Sequence, residues 1–392
     1  MTVTISDLAD QTAVKRCLRS FQADVEEIVQ LAIDIQQIPA PTFAERARAD
    51  YVEKVFQKIP LSKVYQDSLH NVYGCLLGNE TSAPVVVSAH LDTVFPADTD
   101  LKVRAENRHG SKNNRIYGPG IADNALGVAG LIALAQALTK FKLSTAADIW
   151  FVANVGEEGL GDLNGMRMVV DRFGEARSYL AVEGGSYGNI FNRAIGVRRF
   201  KIDVSTPGGH SWGDFGTPSA VHILGRIIAD IDKMPVPVDP KSSINIGVIE
   251  GGTSVNTIAA SASCLLDLRS LDKEKVESLS SSIRQMIVQY DNEPSIKVSI
   301  TKIGERPSGY IDRDSIPVSW AAEALRYVGC KEISFLGGST DANIPISRGY
   351  PAVCIGLANA GNTHRLDEFL EPMNLARGLS QLLLLTLAAA GY

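Results

Sequence analysis

At 392 residues, 45% of them hydrophobic and 21% charged, the chain is too long for one ordinary core and too apolar for disorder, so two domains are expected. A net charge of -6 without a dense Lys/Arg run excludes a polyanion-binding surface, so no nucleic-acid partner is expected. Five cysteines, scattered and without CxxC spacing, exclude both a disulfide framework and a thiolate zinc site, and they fit a reducing, cytoplasmic compartment.

The opening "MTVTISDLADQTAVKRC" has no continuous apolar stretch and does not read as a secretory signal. Two helices are expected between Asp24 and Ile59, "DVEEIVQLAIDIQQ" and "FAERARADYVEKVFQKI", separated by the prolines of "IPAPT". "NVYGCLLG" and "APVVVSAHLD" follow as strands, "NALGVAGLIALAQALTKF" as a helix, and "ADIWFVANV" and "SYLAVEGG" as strands. Strands apolar on both faces and alternating with helices predict an α/β sheet covered on both sides.

After about Ala194 the rhythm changes. "VRRFKIDVST", "PSAVHILGRIIADI", "SINIGVIEGG", "SASCLLDLRS", "LDKEKVESLSSSIRQMIVQY" and "SIKVSITKI" read in order as βαββαβ, a ferredoxin-like unit. The α/β pattern resumes near Ser315 and ends in "NLARGLSQLLLLTLAAA", whose apolar run is about half the roughly 20 residues needed to span a bilayer. It reads as a terminal helix docked on the core, and no membrane partner is expected. The expected division is 1–193 with 305–392 as a discontinuous domain and 194–304 as its insert.

Chemistry-bearing residues stand where the apolar runs stop. His90 and Asp92 end "VVVSAHLD", Asp123 follows the turn "YGPGIADN", Glu157 and Glu158 follow "ADIWFVANV", Glu183 ends "SYLAVE", and His364 follows "AVCIGLANAGNT". In an open α/β sheet ligands collect at the carboxyl ends of the strands, so these segments converge on one rim. Two imidazoles and several carboxylates without thiolate make a hard N/O metal site. Asp92, two residues from His90, is placed to accept that ring's second N–H and fix its tautomer. Adjacent side chains leave a strand in different directions, so of Glu157 and Glu158 one can bind metal and the other act as a base. Taken singly, Asp123 reads equally as a helix N-cap, His364 as a surface residue, and the glutamate pair as a solvated turn. Their joint occurrence at the ends of apolar runs favours the metal site.

"SAHLDTVFP", "GPGIADNALGVAG", "GEEGLGD", "AVEGG", "GGHSW" and "NTHRLDE", in this order and spacing, resemble the co-catalytic zinc exopeptidases and deacylases: peptidase T, glutamate carboxypeptidase, acetylornithine deacetylase, succinyl-diaminopimelate desuccinylase and aminoacylase. The resemblance covers nearly the whole chain and implies a zinc-exopeptidase-like mixed sheet with an inserted lid and dimerisation domain. It implies two Zn2+, which Co2+ or Mn2+ can replace, one held by His90, Asp123 and Glu183 and the other by Asp123, Glu158 and His364. Asp92 would orient His90, and Glu157 would be the general base for a hydroxide shared by the two ions, attacking the amide of a small peptide or an N-acyl amino acid. His210 in "STPGGHSWGDFG" would reach across a homodimer to the oxyanion, against the competing reading of a loop histidine packed on Trp212. Asn256, Arg269 and Gly338, the last in "LGGSTDAN", match substrate-facing positions, with a solvated strand-end arginine as the alternative for Arg269.

Three positions bear on substrate. Pro119 stands where many members have arginine, and Asn124 where many have an acidic residue. Glu183, in place of the aspartate of some deacylases, leans toward the carboxypeptidase side. A noncatalytic, metal-retaining binding protein is the rival from another class. A serine hydrolase using Ser211 or Ser339 lacks a GxSxG elbow.

Overall fold

The computed structural model describes residues 4–106, 114–291 and 294–392. They form two compact units, one running to Ala194 and resuming at Tyr310, the other spanning Ile195–Gly309.

The first unit is built on a nine-stranded mixed sheet. Its centre is four parallel strands in the order Ile149–Asn154, Val85–His90, Ser178–Glu183, Ala352–Gly356. These segments read as unbroken apolar runs because both faces are covered, and the alternation expected of a strand is still there, hidden between two cores. Val85, Val87 and Ala89 join Phe151, Leu180 and Val353 in one core, together with helices Leu126–Lys140 and Leu375–Ala390. Val86 joins Trp150, Val152, Tyr179 and Cys354 in the other, beneath helix Asn164–Phe173. By length and composition the segments Ile121–Lys140 and Pro372–Ala390 are apolar enough to cross a membrane, but 89% and 78% of their apolar windows are buried. The C-terminal segment is thus a core helix, as its short apolar run predicts.

The start of the chain holds more helix than expected. Helices Ile5–Asp10 and Thr12–Ala23 precede Val25–Gln36 and Arg46–Phe56. Val14, Cys17 and Phe21 carry the helical spacing that buries the second of them. They are its only three buried positions in a largely polar stretch, and Thr4 opens the first helix with a capping box that uses Asp7.

The second unit has strands Gly196–Ser205, Ser242–Gly251, Ser261–Ser270 and Lys297–Arg306, with helices Ala220–Asp232 and Lys273–Val288. All pairings are antiparallel, and in chain order the strands lie second, third, first, fourth across the sheet. This is the ferredoxin-like arrangement of a βαββαβ chain. Phe200, Ile202, Val204, Cys264, Leu266 and Leu268 face the two helices, meeting Ile223, Ile227, Leu279 and Ile283. Alternate residues point to the polar side, the signature of an antiparallel sheet covered on one face. The unit extends past 304 because Gly304, Glu305 and Arg306 remain paired with the first strand.

Candidate metal centre

The parallel strands all end on one rim, and that rim gathers the acidic and imidazole side chains. His90 is the last residue of its strand and is 1% exposed. Glu183 is the last residue of the neighbouring strand. Asn154 ends the strand on the other side, and Glu157 and Glu158, both buried, follow it. The loop beyond Ala352–Gly356 leads to His364, which sits at φ 66°, a left-handed conformation uncommon outside glycine. Asp123 lies in the short turn Ile121–Ala125 that precedes helix Leu126–Lys140, with non-helical backbone angles.

Asp123 is the centre of this group. One carboxylate oxygen, Oδ1, lies 3.1 Å from His90 Nε2, and the other, Oδ2, lies 3.1 Å from His364 Nε2. His90 Nε2 is also 3.7 Å from Glu183 Oε2, and His364 Nε2 is 2.9 Å from Glu158 Oε1. Ligand atoms of His90, Asp123 and Glu158 all lie within 4.8 Å of one another.

The donor set fits divalent ions on two observations. Asp123 Oδ1 is buried and has no hydrogen-bond partner despite its closeness to His90, so the two lone pairs converge on common space instead of meeting through a proton. Burying this many carboxylates beside two imidazoles leaves excess negative charge that only cations would offset. The electrostatics record that crowding. Burial pushes Glu158 up to about 7, with Asp123 and Glu157 adding and His364 opposing. Burial likewise pushes Glu183 up to about 7. Hydrogen bonding to Asp123 and Glu158 pushes His364 up to about 10. Asp123 itself would be raised by burial, but the two histidines hold it well below the usual carboxylate range.

Asp92 meets the neighbouring loop more closely than it meets the His90 ring it was expected to orient. Fully buried, it takes the main-chain N–H of Glu157 on Oδ1 (2.9 Å), and on Oδ2 the N–H of Glu158 (2.8 Å) and the Thr42 hydroxyl (2.9 Å). The nearest partner of His90 Nδ1 is the Asp92 main-chain carbonyl at 3.1 Å, with the carboxylate at 3.6 Å. Burial would raise the Asp92 pKa, but His90 and the two N–H groups outweigh it and hold the carboxylate low.

Several supporting residues escape sequence reasoning. Glu45 accepts the N–H of Phe43 (3.0 Å) and of Gly156 (3.2 Å), tying the "APTFAE" segment to the Glu157 loop. The pair Thr42 and Glu45 has the T-x-x-E spacing of a capping box, the one signal that could have marked it. Buried Arg48 donates to the carbonyls of Ile38 and Leu91, fixing the exit of the His90 strand. Asn124 donates to the Val182 carbonyl and accepts the Gly184 N–H, both at 2.8 Å, which clamps the Asp123 turn to the Glu183 strand. Glu368, 0% exposed, accepts the N–H of Ala122 and of Asp123 on Oε1, each at 2.9 Å. Burial and the Asp123 charge push it up to about 7. Asp341, in the loop that sequence marked through Gly338, accepts from Asn154 Nδ2 at 2.8 Å, and burial pushes it up to about 8.

The remaining expected residues divide between the units. Gly338 ends strand Ser334–Gly338 in the first unit, where a Cβ would stand 2.8 Å from the Phe191 ring. His210, Asn256 and Arg269 belong to the second. His210 Nδ1 accepts the N–H groups of Trp212 and Gly213, both at 3.2 Å, while Trp212 is 88% exposed and gives the ring no packed shelf. Asn256 is exposed and accepts from Ser254 Oγ at 2.6 Å. Arg269 is held by Asp267 at 2.7 Å, a carboxylate it shares with Arg199.

Residues 86–388 match the family described as Peptidase family M20/M25/M40. The chain belongs to that family. Its M20 relatives include an acetylornithine deacetylase from Myxococcus xanthus, 25% identical over 68% of this chain and 70% of that protein. Solved structures with this fold include a Staphylococcus aureus tripeptidase, TM-score 0.76 and 20% identity over 93% of this chain and 98% of that one. Another is the Bacillus subtilis YXEP protein, a dinuclear metal binding peptidase of family M20, TM-score 0.67 and 17% identity over 94% of this chain and 99% of that one. As an M20 member the chain is a hydrolase of the metallopeptidase and amidohydrolase kind.

Proposed function

We propose that this M20 protein is an exopeptidase of short peptides that works with two divalent ions, zinc by its donor set, and uses Glu157 as general base. The observation that carries this reading is the division of the Asp123 carboxylate between His90 and His364. On that division His90, Asp123 and Glu183 would hold one ion, and Asp123, Glu158 and His364 the other. Ions so held supply an activated water and a polarised scissile carbonyl. Glu157 takes a proton from the water as its oxygen bonds to the carbonyl carbon, and returns it to the nitrogen as the C–N bond breaks. Asp92 serves this step by holding the N–H groups of Glu157 and Glu158, so that base and ligand keep fixed places.

In the second unit, His210 accepts on Nδ1, which leaves Nε2 to carry the proton and suits it to donate to a developing oxyanion. Strand Ser242–Gly251 lies at an edge of its four-stranded sheet, and we read it as the contact through which two copies pair. Asn256 and Arg269 are the candidates for the substrate's polar end, with Gly338 at the end of its strand in the first unit. Five free cysteines support a reducing, cytoplasmic setting.

The relation to an acetylornithine deacetylase favours one second reading, deacylation of an N-acyl amino acid. Incubating the zinc-loaded protein with dipeptides, tripeptides and N-acyl amino acids, and identifying products by mass spectrometry, separates the two by which bond is cut. Glu157→Gln is expected to retain two ions and to lose at least about 100-fold in kcat. A Glu157→Gln variant with wild-type turnover would remove the assigned base. Metal-replete wild-type protein that cuts nothing in the panel would favour the binding homologue.

A further inference from the structure

Glu368 lies four residues beyond His364, on a loop that is braced before it turns inward. Asn362 and Arg365 both grip Asp367, through Nδ2 at 2.9 Å and Nε at 2.8 Å. The Glu368 N–H donates to the Arg365 carbonyl, and strand Phe369–Glu371 then pairs with Arg115–Tyr117. The Glu368 carbonyl accepts the Gly118 N–H at 2.9 Å. Main chain and side chain of one residue therefore both hold the segment that leads into Asp123.

A fully buried carboxylate needs a reason, because an apolar residue would fill the same space at no desolvation cost. Its Oε1 satisfies two neighbouring N–H groups that no helical carbonyl can reach at the start of the Ile121–Lys140 segment. Its Oε2 is buried without a partner. One of the two N–H groups belongs to Asp123, the residue whose oxygens face both histidines. Resting on the dinuclear reading above, we infer that Glu368 is a positioning residue that locks Asp123 and His364 into one rigid unit, so that ion affinity depends on its acceptor geometry.

A cap that only stabilises a helix would change the melting temperature and nothing else. A positioning residue must also change ion affinity in protein that remains folded. The test is calorimetric titration of the chelator-stripped full chain with Co2+, read together with the d–d absorbance of the bound ion and the melting temperature of the metal-free protein. Glu368→Ala is expected to weaken at least one of the two Co2+ binding steps 10- to 100-fold and to alter the visible spectrum. Glu368→Gln keeps an oxygen acceptor at the same reach and is expected within about threefold of wild type, whereas Glu368→Asp, a methylene too short, is expected to behave like alanine.

Wild-type Co2+ affinities in Glu368→Ala, with only a lowered melting temperature, would overturn the inference. If the alanine variant does not fold, the order of the other two decides, and aspartate binding better than glutamine would show that charge, not acceptor placement, matters. Wild-type protein that takes up no pair of ions would remove the dinuclear reading and this inference together. Two ions in wild type and unchanged affinities in the variants would remove this inference alone.

Discussion

At the scale of single residues, the site rests on carboxylates that are spent on main-chain N–H groups. Asp92 uses both oxygens, and three of its four close partners belong to Thr42, Glu157 and Glu158. In Asp92→Asn one acceptor becomes an NH2 group, so either the Glu157 or the Glu158 N–H confronts a donor in a dry pocket. A buried donor left unmatched costs about 1–3 kcal/mol, enough to swing the loop that carries Glu157 and Glu158. We expect kcat lower by about 10- to 100-fold, with the melting temperature lowered by a few degrees, checked by steady-state kinetics and calorimetry; unchanged kcat would show that His90 alone needs Asp92. The convergence of His90, Asp123, Glu158, Glu183 and His364 is legible in the sequence because four of them end or follow an apolar run and Asp123 lies between a glycine-rich turn and an apolar helix. The role of Glu368, the last residue of "NTHRLDE", is not, because it serves a main-chain N–H 245 residues away. An acceptor of main-chain N–H groups leaves no pattern of residue types, so only coordinates reveal it.

At the scale of elements, the strands are legible and the close approaches between them are not. "NALGVAG" reads as the start of a helix, and glycine is an unfavourable residue inside one. Gly127 has its reason in Asn124, since a Cβ there would lie 1.9 Å from Asn124 Oδ1. The same carboxamide oxygen accepts from Gly184, where a Cβ would lie 2.3 Å from the Ala122 carbonyl oxygen. Helix propensity favours Gly127→Ala by about 1 kcal/mol. Displacing Asn124 would forfeit two buried hydrogen bonds and overpack the turn, at about 1–3 kcal/mol for the overpacking alone, so the clash wins. We expect Gly127→Ala to lower the melting temperature and to weaken metal binding, because Asn124 is the residue after Asp123. A variant more stable than wild type with full metal content would show that the turn yields freely. Sequence also missed the helices Ile5–Asp10 and Thr12–Ala23, where three buried residues in each suffice because the helix lies on a core supplied by others.

At the scale of the whole molecule, the change from fully apolar runs to alternating strands after Ala194 announces the insert, and the βαββαβ order announces its topology. The strand order of the first unit could not be read, because central strands apolar on both faces carry no mark of their neighbours. The same burial hides four thiols. Burial pushes Cys17 and Cys75 up to about 12 and Cys264 up to about 11, and raises Cys354 as well. In the unfolded chain such thiols ionise near pH 8.5. Each therefore contributes stability that is fully present below that pH and is lost as pH rises through 9 toward 12, since the unfolded state gives up its proton first. Three of the four belong to the first unit and one to the second, so the alkaline loss should be steeper for the first. Calorimetry of reduced, metal-free protein between pH 8 and 11 should show the midpoint falling above pH 9, with the change in tryptophan emission, which reports the first unit through buried Trp150 because Trp212 of the second is already exposed, falling more steeply than far-UV circular dichroism. A midpoint unchanged to pH 11 would mean that these thiols are not closed off from water.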